Sequence, residues 1–125
     1  MAGELQAAVV VQDATAQYTV TLYDDQTPAH HIQPADLDSL VYSLVSLDDY
    51  DNGAPKVLNS RSNVDASSRL ESNGHFHLEL TAADNAMVDD SRSVERHLLL
   101  LTVGFNGKTG IIRQMILVEN KLTAG

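Results

Sequence analysis

The chain contains no cysteine and no tryptophan among its 125 residues. Without cysteine it can form neither disulfide bonds nor a thiolate metal site, so its stability must come from packing. It also has no apolar run approaching the ~18 residues that a membrane-spanning helix requires. At this length we expect one domain, with a core large enough to fold without covalent cross-links.

Basic residues are in short supply: eight Lys and Arg stand against seventeen Asp and Glu, which gives a formal net charge of −9. Repulsion by this charge disfavours binding to nucleic acid or to anionic membranes, and it suits a partner with basic patches. The N-terminus has no basic region and carries Glu4, so it lacks the features of a secretory signal. We therefore expect synthesis in the cytoplasm without export.

The strongest pattern lies near the C-terminus, between Val94 and Asn120. Two apolar stretches, residues 98–105 and 111–118, flank a polar stretch, NGKTG, at residues 106–110. Two such runs separated by three to five residues that include glycine predict a β-hairpin. Because both runs are apolar on both alternating faces, we expect the hairpin to lie deep in the protein, covered by the rest of the chain.

Two other stretches show the alternation of apolar and polar residues that predicts half-buried strands. Residues 17–23 (QYTVTLY) are rich in β-branched and aromatic residues, and residues 24–28 (DDQTP) end that strand as a turn. In residues 74–81 (GHFHLELT), the apolar side chains point to one face and the polar side chains to the other. Shorter strands are predicted at residues 56–58 and 63–64.

The period of residues 37–47 (LDSLVYSLVSL) is ambiguous. The leucines fit one face of a helix, but Val, Tyr and Ser dominate the stretch and the neighbouring segments are β-like. We therefore predict a strand here. The next segment, residues 48–55 (DDYDNGAP), is predicted to be a turn whose sharpest signal is Asn52-Gly53.

About seven short strands separated by turn signals predict an all-β fold, and the pattern is typical of an immunoglobulin-like antiparallel β-sandwich. The chain has neither the Cys nor the Trp of the antibody-domain core, and a small barrel is the competing all-β solution. We expect the sandwich to cover residues 15–125. Residues 1–14, which include Val9, Val10 and Val11, are expected to form an N-terminal arm or edge segment.

His75 and His77 are weak candidates for metal binding. They stand two residues apart on a predicted strand, so both imidazoles face one side, and Glu79 is the candidate third ligand. The same three residues fit a solvent-facing polar row opposite the apolar face of that strand. We favour the polar row, because no second motif supplies further ligands.

Acidic residues cluster at residues 48–53 (DDYDNG), which invites comparison with a calcium-binding loop. An EF-hand loop that starts at Asp48 needs an acidic or amide residue where Tyr50 stands and a glutamate where Asn59 stands, so the match fails. We interpret the cluster as an acidic hairpin turn.

No motif for catalysis stands out. Asp84, Asp89 and Asp90 lie in a predicted loop, where solvated carboxylates are the commoner interpretation. The serines of residues 60–68 lack the nucleophile-elbow sequence, and no glycine-rich nucleotide loop is present. We predict that the chain is not an enzyme and needs no cofactor.

Charged residues open the predicted hairpin. Strand alternation puts Glu95 and His97 on one face and Arg96 on the other, and Arg113 lies across the turn. An exposed cross-strand ion pair contributes only about 0.2–1 kcal/mol. We expect such a pair to help fix the register of the strands rather than to act in function.

Several segments together resemble the small immunoglobulin-like virion proteins of tailed bacteriophages. An alternating strand runs into an L-x-x-x-D-N loop at residues 80–85, E-x-H opens a long strand at residues 95–97, and V-x-N ends the last strand at residues 118–120. The likeness covers about residues 17–120 and rests on the order and spacing of TVTLYDD (19–25), LNSR (58–61), GHFHLELTAADNAMVDD (74–90), VERHLLLLTVGFNGKTG (94–110) and ILVEN (116–120). The chain departs from the family at Phe105, where a Trp or Tyr often follows the long strand.

The resemblance implies a structural, non-enzymatic role in a virion, as a capsid decoration protein or as a subunit of the head–tail junction (neck). It implies other virion proteins as partners (capsid, neck or tail subunits), a homo-oligomer in the particle, and a location in the virion after synthesis in the host cytoplasm. The apolar ends of the chain supply the candidate partner contacts, which are Val9, Val10, Val11, Leu117 and Leu122.

The alternative function is a ligand-binding β-sandwich module, with a phage tail as its candidate location, that holds a metal ion or a carbohydrate in loops at one end of the sandwich. Its candidate residues are Asp48, Asp49, Asp51, His75 and His77.

Overall fold

A computed structural model describes residues 8–24 and 30–122 of the chain. The fold is all-β, as predicted: two β-sheets form a sandwich, and the helical segments of the described residues are two short 3₁₀ turns, Pro34–Asp36 and Ser67–Arg69. The strands are β1 (Ala8–Val11), β2 (Ala16–Thr21), β3 (Leu37–Asp51), β4 (Ala54–Val57), β5 (Val64–Asp65), β6 (His75–Leu80), β7 (Val94–Phe105) and β8 (Lys108–Glu119). Within the described ranges, no helix is both long enough and apolar enough to span a membrane.

The larger sheet contains six strands: β1, β8, β7, β3 and β4 follow one another, and β5 also pairs with β3. The smaller sheet is the antiparallel pair of β2 and β6. Three neighbouring strands, β3, β7 and β8, faced by β2 and β6, match the placement of strands C, F and G against B and E in immunoglobulin-like sandwiches. One pairing departs from the predicted antiparallel pattern, because β1 runs parallel to β8.

Part of the predicted N-terminal arm is thus an edge strand of the larger sheet. Residues 8–11 form β1, with Val10 beside Val118 of β8. Residues 1–7 of that arm lie outside the described residues, as do residues 25–29, which make up most of the turn predicted after β2.

The β7–β8 hairpin has a tighter turn than the sequence predicted. Only Asn106 and Gly107 lie between the strands, with φ angles of 49° and 76°. Two central residues with positive φ fit a type I′ turn, whose twist matches that of the flanking strands and whose preferred sequence is Asn-Gly. Lys108 pairs with Phe105, so the predicted turn over residues 106–110 is wrong in its second half.

Strand β3 confirms residues 37–47 as a strand, and it continues to Asp51. The prediction of a turn over residues 48–55 is therefore wrong except at its centre. Asn52 and Gly53 form the turn, with φ angles of 51° and 82°, and the chain returns as β4. Pro55 is tolerated in β4 because this strand lies at the edge of the sheet, where a missing N–H group breaks no ladder.

The hydrophobic core lies between the two sheets. Its main members are Leu40, Tyr42 and Leu44 of β3, Leu99, Leu101 and Val103 of β7, Ile116 and Val118 of β8, and Phe76, Leu78 and Leu80 of β6. Fully burying a large apolar side chain contributes about 1.5–3 kcal/mol, so this layer is the principal source of stability. The expectation that both faces of the hairpin are buried is wrong, because Leu98 and Leu100 point away from the smaller sheet and stay partly exposed.

A buried carboxylate ties the loop before β7 to the start of that strand. Glu95 is fully buried and accepts hydrogen bonds from the backbone N–H groups of Val88 (2.9 Å) and Asp89 (2.7 Å). It also accepts hydrogen bonds from Arg92 Nη1 (3.0 Å) and His97 Nε2 (2.9 Å). The predicted alternation of Glu95 and His97 is confirmed, but their face is the interior of the protein and not an exposed surface.

We predict that Glu95→Ala lowers the free energy of unfolding by about 3–5 kcal/mol, because it removes the acceptor of two backbone N–H groups and of the buried His97 ring, while Arg92 keeps Asp49. Urea denaturation at neutral pH measures the loss. The control is Glu79→Ala on the exposed face of β6, where the side-chain contact is Gln17 Nε2 at 3.3 Å. Its effect is expected to stay within ~0.5 kcal/mol. Equal losses in the two variants would show that the Glu95 hydrogen bonds do not stabilise the fold.

Candidate functional site

The side of the larger sheet that faces away from the smaller sheet, here called the outer face, is largely apolar. Side chains alternate between the two faces along each strand, so the pairing register assigns each residue to a face. The apolar residues of the outer face are Val9, Val41, Val45, Val57, Leu98, Leu100, Ile111, Met115 and Leu117. Val45 is buried, and the other eight are at least partly exposed, with Val9 and Ile111 at 61% and 54%. The outer face is therefore a second apolar surface, separate from the core.

The charges on the outer face are few. Arg113 lies near its centre, directly opposite Leu100 on the neighbouring strand. In residues 8–24 and 30–122, no carboxylate forms an ion pair with Arg113. At one end of the outer face Arg96 binds Asp48 of β3, and Glu119 lies at the end of β8. The outward residues of β3, β7 and β8 between these two points carry no acidic side chain. The negative charge of the chain is thus concentrated elsewhere.

The predicted partner contacts fall into three groups. Val9 and Val11 are exposed on β1, and Leu117 lies partly exposed on the outer face beside Val9. The prediction that Val10 contacts a partner is wrong, because Val10 points inward and packs in the core. Leu122, just beyond β8, is 88% exposed.

The acidic residues at the end of β3 are paired with arginines from the start of β7 and the loop before it. Asp48 accepts hydrogen bonds from Arg96 Nε (3.0 Å) and Nη2 (2.8 Å). Asp49 accepts hydrogen bonds from Arg92 Nη1 (2.8 Å) and Nη2 (2.9 Å), and these hold the pKa of Asp49 down at about 2. Asp51 is exposed, and its Oδ2 lies 3.6 Å from Lys56 Nζ. These carboxylates fix loops and strand ends and do not surround a cation.

The buried member of the loop carboxylates is Asp84. It accepts hydrogen bonds from Asn59 Nδ2 (2.7 Å), Arg61 Nε (2.8 Å) and the backbone N–H of Thr81 (2.8 Å). Burial raises the pKa of Asp84, but these hydrogen bonds outweigh burial and leave the pKa below its ordinary value. Asp84 therefore joins two loops as a charged group. The other two carboxylates of this loop are exposed.

The structure brings His75 and His77 together with Glu71. The metal-binding atoms of these three side chains lie within 4.8 Å of one another. Glu71 Oε1 is 2.5 Å from His77 Nε2, and the two imidazole rings are 6.3 Å apart and nearly perpendicular. Thr19 Oγ1, on the neighbouring strand β2, lies 3.1 Å from His77 Nδ1. The outward side of the smaller sheet thus holds two imidazoles and one carboxylate in a single group.

Glu79, the third ligand suggested by the sequence, is not part of this group. It lies opposite Gln17 of β2, two residues further along β6 than His77. Glu71 was missed because it precedes β6 and reaches the histidines only through a chain reversal. The sequence Ser72-Asn73-Gly74 is a turn signal, and it was the one available indication that Glu71 folds back onto the strand.

The loop site of the alternative function is not assembled, because its acidic and histidine residues lie at opposite ends of the sandwich. The acidic residues follow Ser46, which pairs with His97 near the start of β7. His75 pairs with Thr21, and Tyr23, two residues further on, lines a groove together with Phe105 at the end of β7.

Two clefts formed by the described residues carry few titratable groups. A groove of about 490 Å³ beside β3 is lined by serines and apolar residues, and its titratable groups are Asp38 and Asp65. An apolar cleft between the sheets measures about 150 Å³ and is lined by residues such as Tyr18, Leu99 and Ile112. Small-molecule sites usually enclose roughly 300–1,000 Å³, so the apolar cleft is smaller than such sites and the groove beside β3 falls within their range.

No protein-family model matches this chain, and no curated protein matches it in sequence. A proposed function therefore rests on the geometry of the surface and on the resemblance of the individual segments.

We predict that Asp49→Asn makes the free energy of unfolding depend less on pH in the acid range. The pKa of Asp49 is about 2 in the folded chain, below the ~3.9 of an unfolded aspartate. Between these values the unfolded chain binds the proton and the folded chain does not, so stability falls as the pH decreases. Urea midpoints at pH 4 and pH 2.5 are expected to differ less in the variant than in the parent chain. Equal slopes would show that Asp49 does not contribute to acid sensitivity.

Proposed function

We propose that this chain is a structural, non-enzymatic subunit of a tailed-phage virion, a capsid decoration protein or a neck-associated subunit, and that it assembles by packing its outer face against a second copy of itself. The observation that carries the proposal is the apolar outer face of the larger sheet. Large exposed apolar patches on folded domains mark sites of association. The face is built on regular, paired strands.

The size of the outer face suits a stable interface. It spans five strands side by side, and its longer strands have twelve residues or more. Because the edge strands β1 and β4 have only four residues each, strands ~4.8 Å apart with ~3.3 Å per residue give an area on the order of 700 Å². A standard interface buries about 800 Å² per partner. Sheets that pack face to face keep their strands within ~30° of each other, so a second copy is a geometrically suitable occupant.

The charge distribution also permits packing of two copies. The chain carries a net charge of −9, which would oppose self-association if it lay at the contact. The centre of the outer face holds Arg113 and no acidic side chain. Arginine is enriched at interfaces, and its long stem can cover apolar surface while the guanidinium stays hydrated.

The virion part of the proposal is supported by the residues of the sequence resemblance. In the L-x-x-x-D-N loop, Asp84 and Asn85 are both buried, and Asn85 Nδ2 donates a hydrogen bond to the carbonyl of Ala14 at 2.7 Å. In the E-x-H segment, Glu95 and His97 form the buried pair at the start of β7. These motif residues stabilise loops rather than form a site, which agrees with a structural role.

We predict that Ile111→Glu prevents self-association. Ile111 is 54% exposed in the single chain, so the glutamate is tolerated in the monomer but would be buried without a partner in the assembled pair. Because burying an unpaired charge costs several kcal/mol, the dimer dissociation constant is expected to rise at least ~100-fold. Sedimentation velocity over ~1–100 µM measures it.

The matched control for Ile111→Glu is Val88→Glu, which places the same charge on a partly exposed loop residue away from the outer face. It is expected to associate as the parent chain does. A parent chain that stays monomeric up to the highest concentration, or an Ile111→Glu variant that associates as before, would contradict packing through the outer face.

The virion location has its own test. Mass spectrometry of purified particles from a culture that produces this chain is expected to find the chain in many copies per particle. Particles that lack the chain would contradict the virion role, whatever the oligomeric state in solution.

A further inference from the structure

The outward side of β6 carries a group of side chains whose geometry is independent of the outer face. Its framework is a tight reversal between Glu71 and His75. The Glu71 N–H donates to the His75 carbonyl (2.9 Å), and the Gly74 N–H donates to the Glu71 carbonyl (3.0 Å). The His75 N–H donates to Asn73 Oδ1 (3.1 Å). These bonds place Glu71 beside His75 and next to His77, on the same side of the strand.

Gly74 makes this reversal specific. Its φ of +82° is the left-handed conformation that favours glycine. A Cβ at this position would stand 2.7 Å from His31 Cβ, so the turn packs closely against the neighbouring loop. The position of Glu71 relative to the two histidines is therefore fixed by backbone geometry and not only by side-chain rotamers.

We propose that Glu71, His75 and His77 bind a Zn²⁺ ion. Zinc takes imidazole nitrogen and carboxylate oxygen at ~2.0–2.2 Å, and the ligand atoms of a tetrahedral site then lie roughly 3.3 Å apart. The three ligand atoms lie within 4.8 Å of one another, and the shortest pair is 2.5 Å apart. Small side-chain rotations bring these distances to the required value without moving the strand.

The hydrogen bond of Thr19 orients one of the ligands. Metal-binding histidines usually engage their second ring nitrogen with an oxygen, which fixes the tautomer and the ring orientation. Thr19 Oγ1 lies 3.1 Å from His77 Nδ1 and can accept a hydrogen bond from Nδ1–H, which leaves Nε2 to bind the ion beside Glu71. Thr19 is thus a positioning residue on a paired strand, with Thr19 opposite His77 in the register.

The ligand set determines the kind of ion. Two imidazoles and one carboxylate suit zinc and neighbouring transition metals, whereas calcium and magnesium require more oxygen ligands than this group offers. Three protein ligands leave a fourth position for water or for a group from another molecule. The negative net charge of −9 attracts cations to the surface. This proposal stands independently of the assembly proposed above.

Isothermal titration of the chain, without a histidine tag, with ZnCl₂ is the test. We expect one Zn²⁺ ion per chain, with Zn²⁺ raising the melting temperature. His75→Ala, His77→Ala and Glu71→Gln are each expected to weaken the affinity at least ~10-fold, and Thr19→Val by roughly 10-fold or more. Binding of Co²⁺ is expected to give the visible absorption of a four-coordinate nitrogen and oxygen site.

The matched controls replace the same residue types outside the group. His30→Ala, in a loop, and Glu79→Gln, on the same strand, are expected to bind Zn²⁺ as the parent chain does. The three ligands lie at the surface, so circular dichroism of the metal-free variants is expected to match that of the parent chain. No heat on adding Zn²⁺, unchanged affinity in His77→Ala, or equal affinity for Ca²⁺ would each overturn the site.

Discussion

The structure depends on the pairing of β7 along both of its edges. β3 and β8 bind β7 over most of its length, so its backbone hydrogen-bonding groups are satisfied within the sheet. With both edges occupied, the side chains of β7 can point only towards the smaller sheet or away from it. The apolar run at residues 98–101 therefore supplies two surfaces at once, the core and the outer face.

Buried polar groups close the loops around this central strand. A carboxylate out of water is stable only when its oxygens are fully hydrogen-bonded. Glu95 meets that condition through two backbone N–H groups, one arginine and one histidine, and Asp84 meets it through Asn59, Arg61 and Thr81. In a chain without disulfides, these two carboxylates take over the task of holding long loops against the sandwich.

The two surfaces for which we propose a function lie on opposite sides of the molecule and depend on different interactions. The outer face belongs to the larger sheet and offers apolar area, which favours association without directional bonds. The group of Glu71, His75 and His77 belongs to the smaller sheet and offers directional ligands at short distances. Strand register fixes the side-chain positions of the outer face and of the two histidines, and Glu71 reaches the histidines through the turn before β6.

The alternation of side chains and the chemistry of turns are local properties of a sequence. Sequence alone was therefore enough to predict three features, namely the strand of residues 74–81, the Asn-Gly turns at residues 52–53 and 106–107, and the all-β class. It did not determine which side of a two-faced strand is covered, because that depends on segments distant in the chain. Glu95 became an interior residue because the loop of residues 82–93 folds over it. Glu71, and not Glu79, joined the histidines because a chain reversal overrides spacing along the strand. These contacts depend on how the chain folds back on itself, and the spacing of residues along a strand does not reveal them.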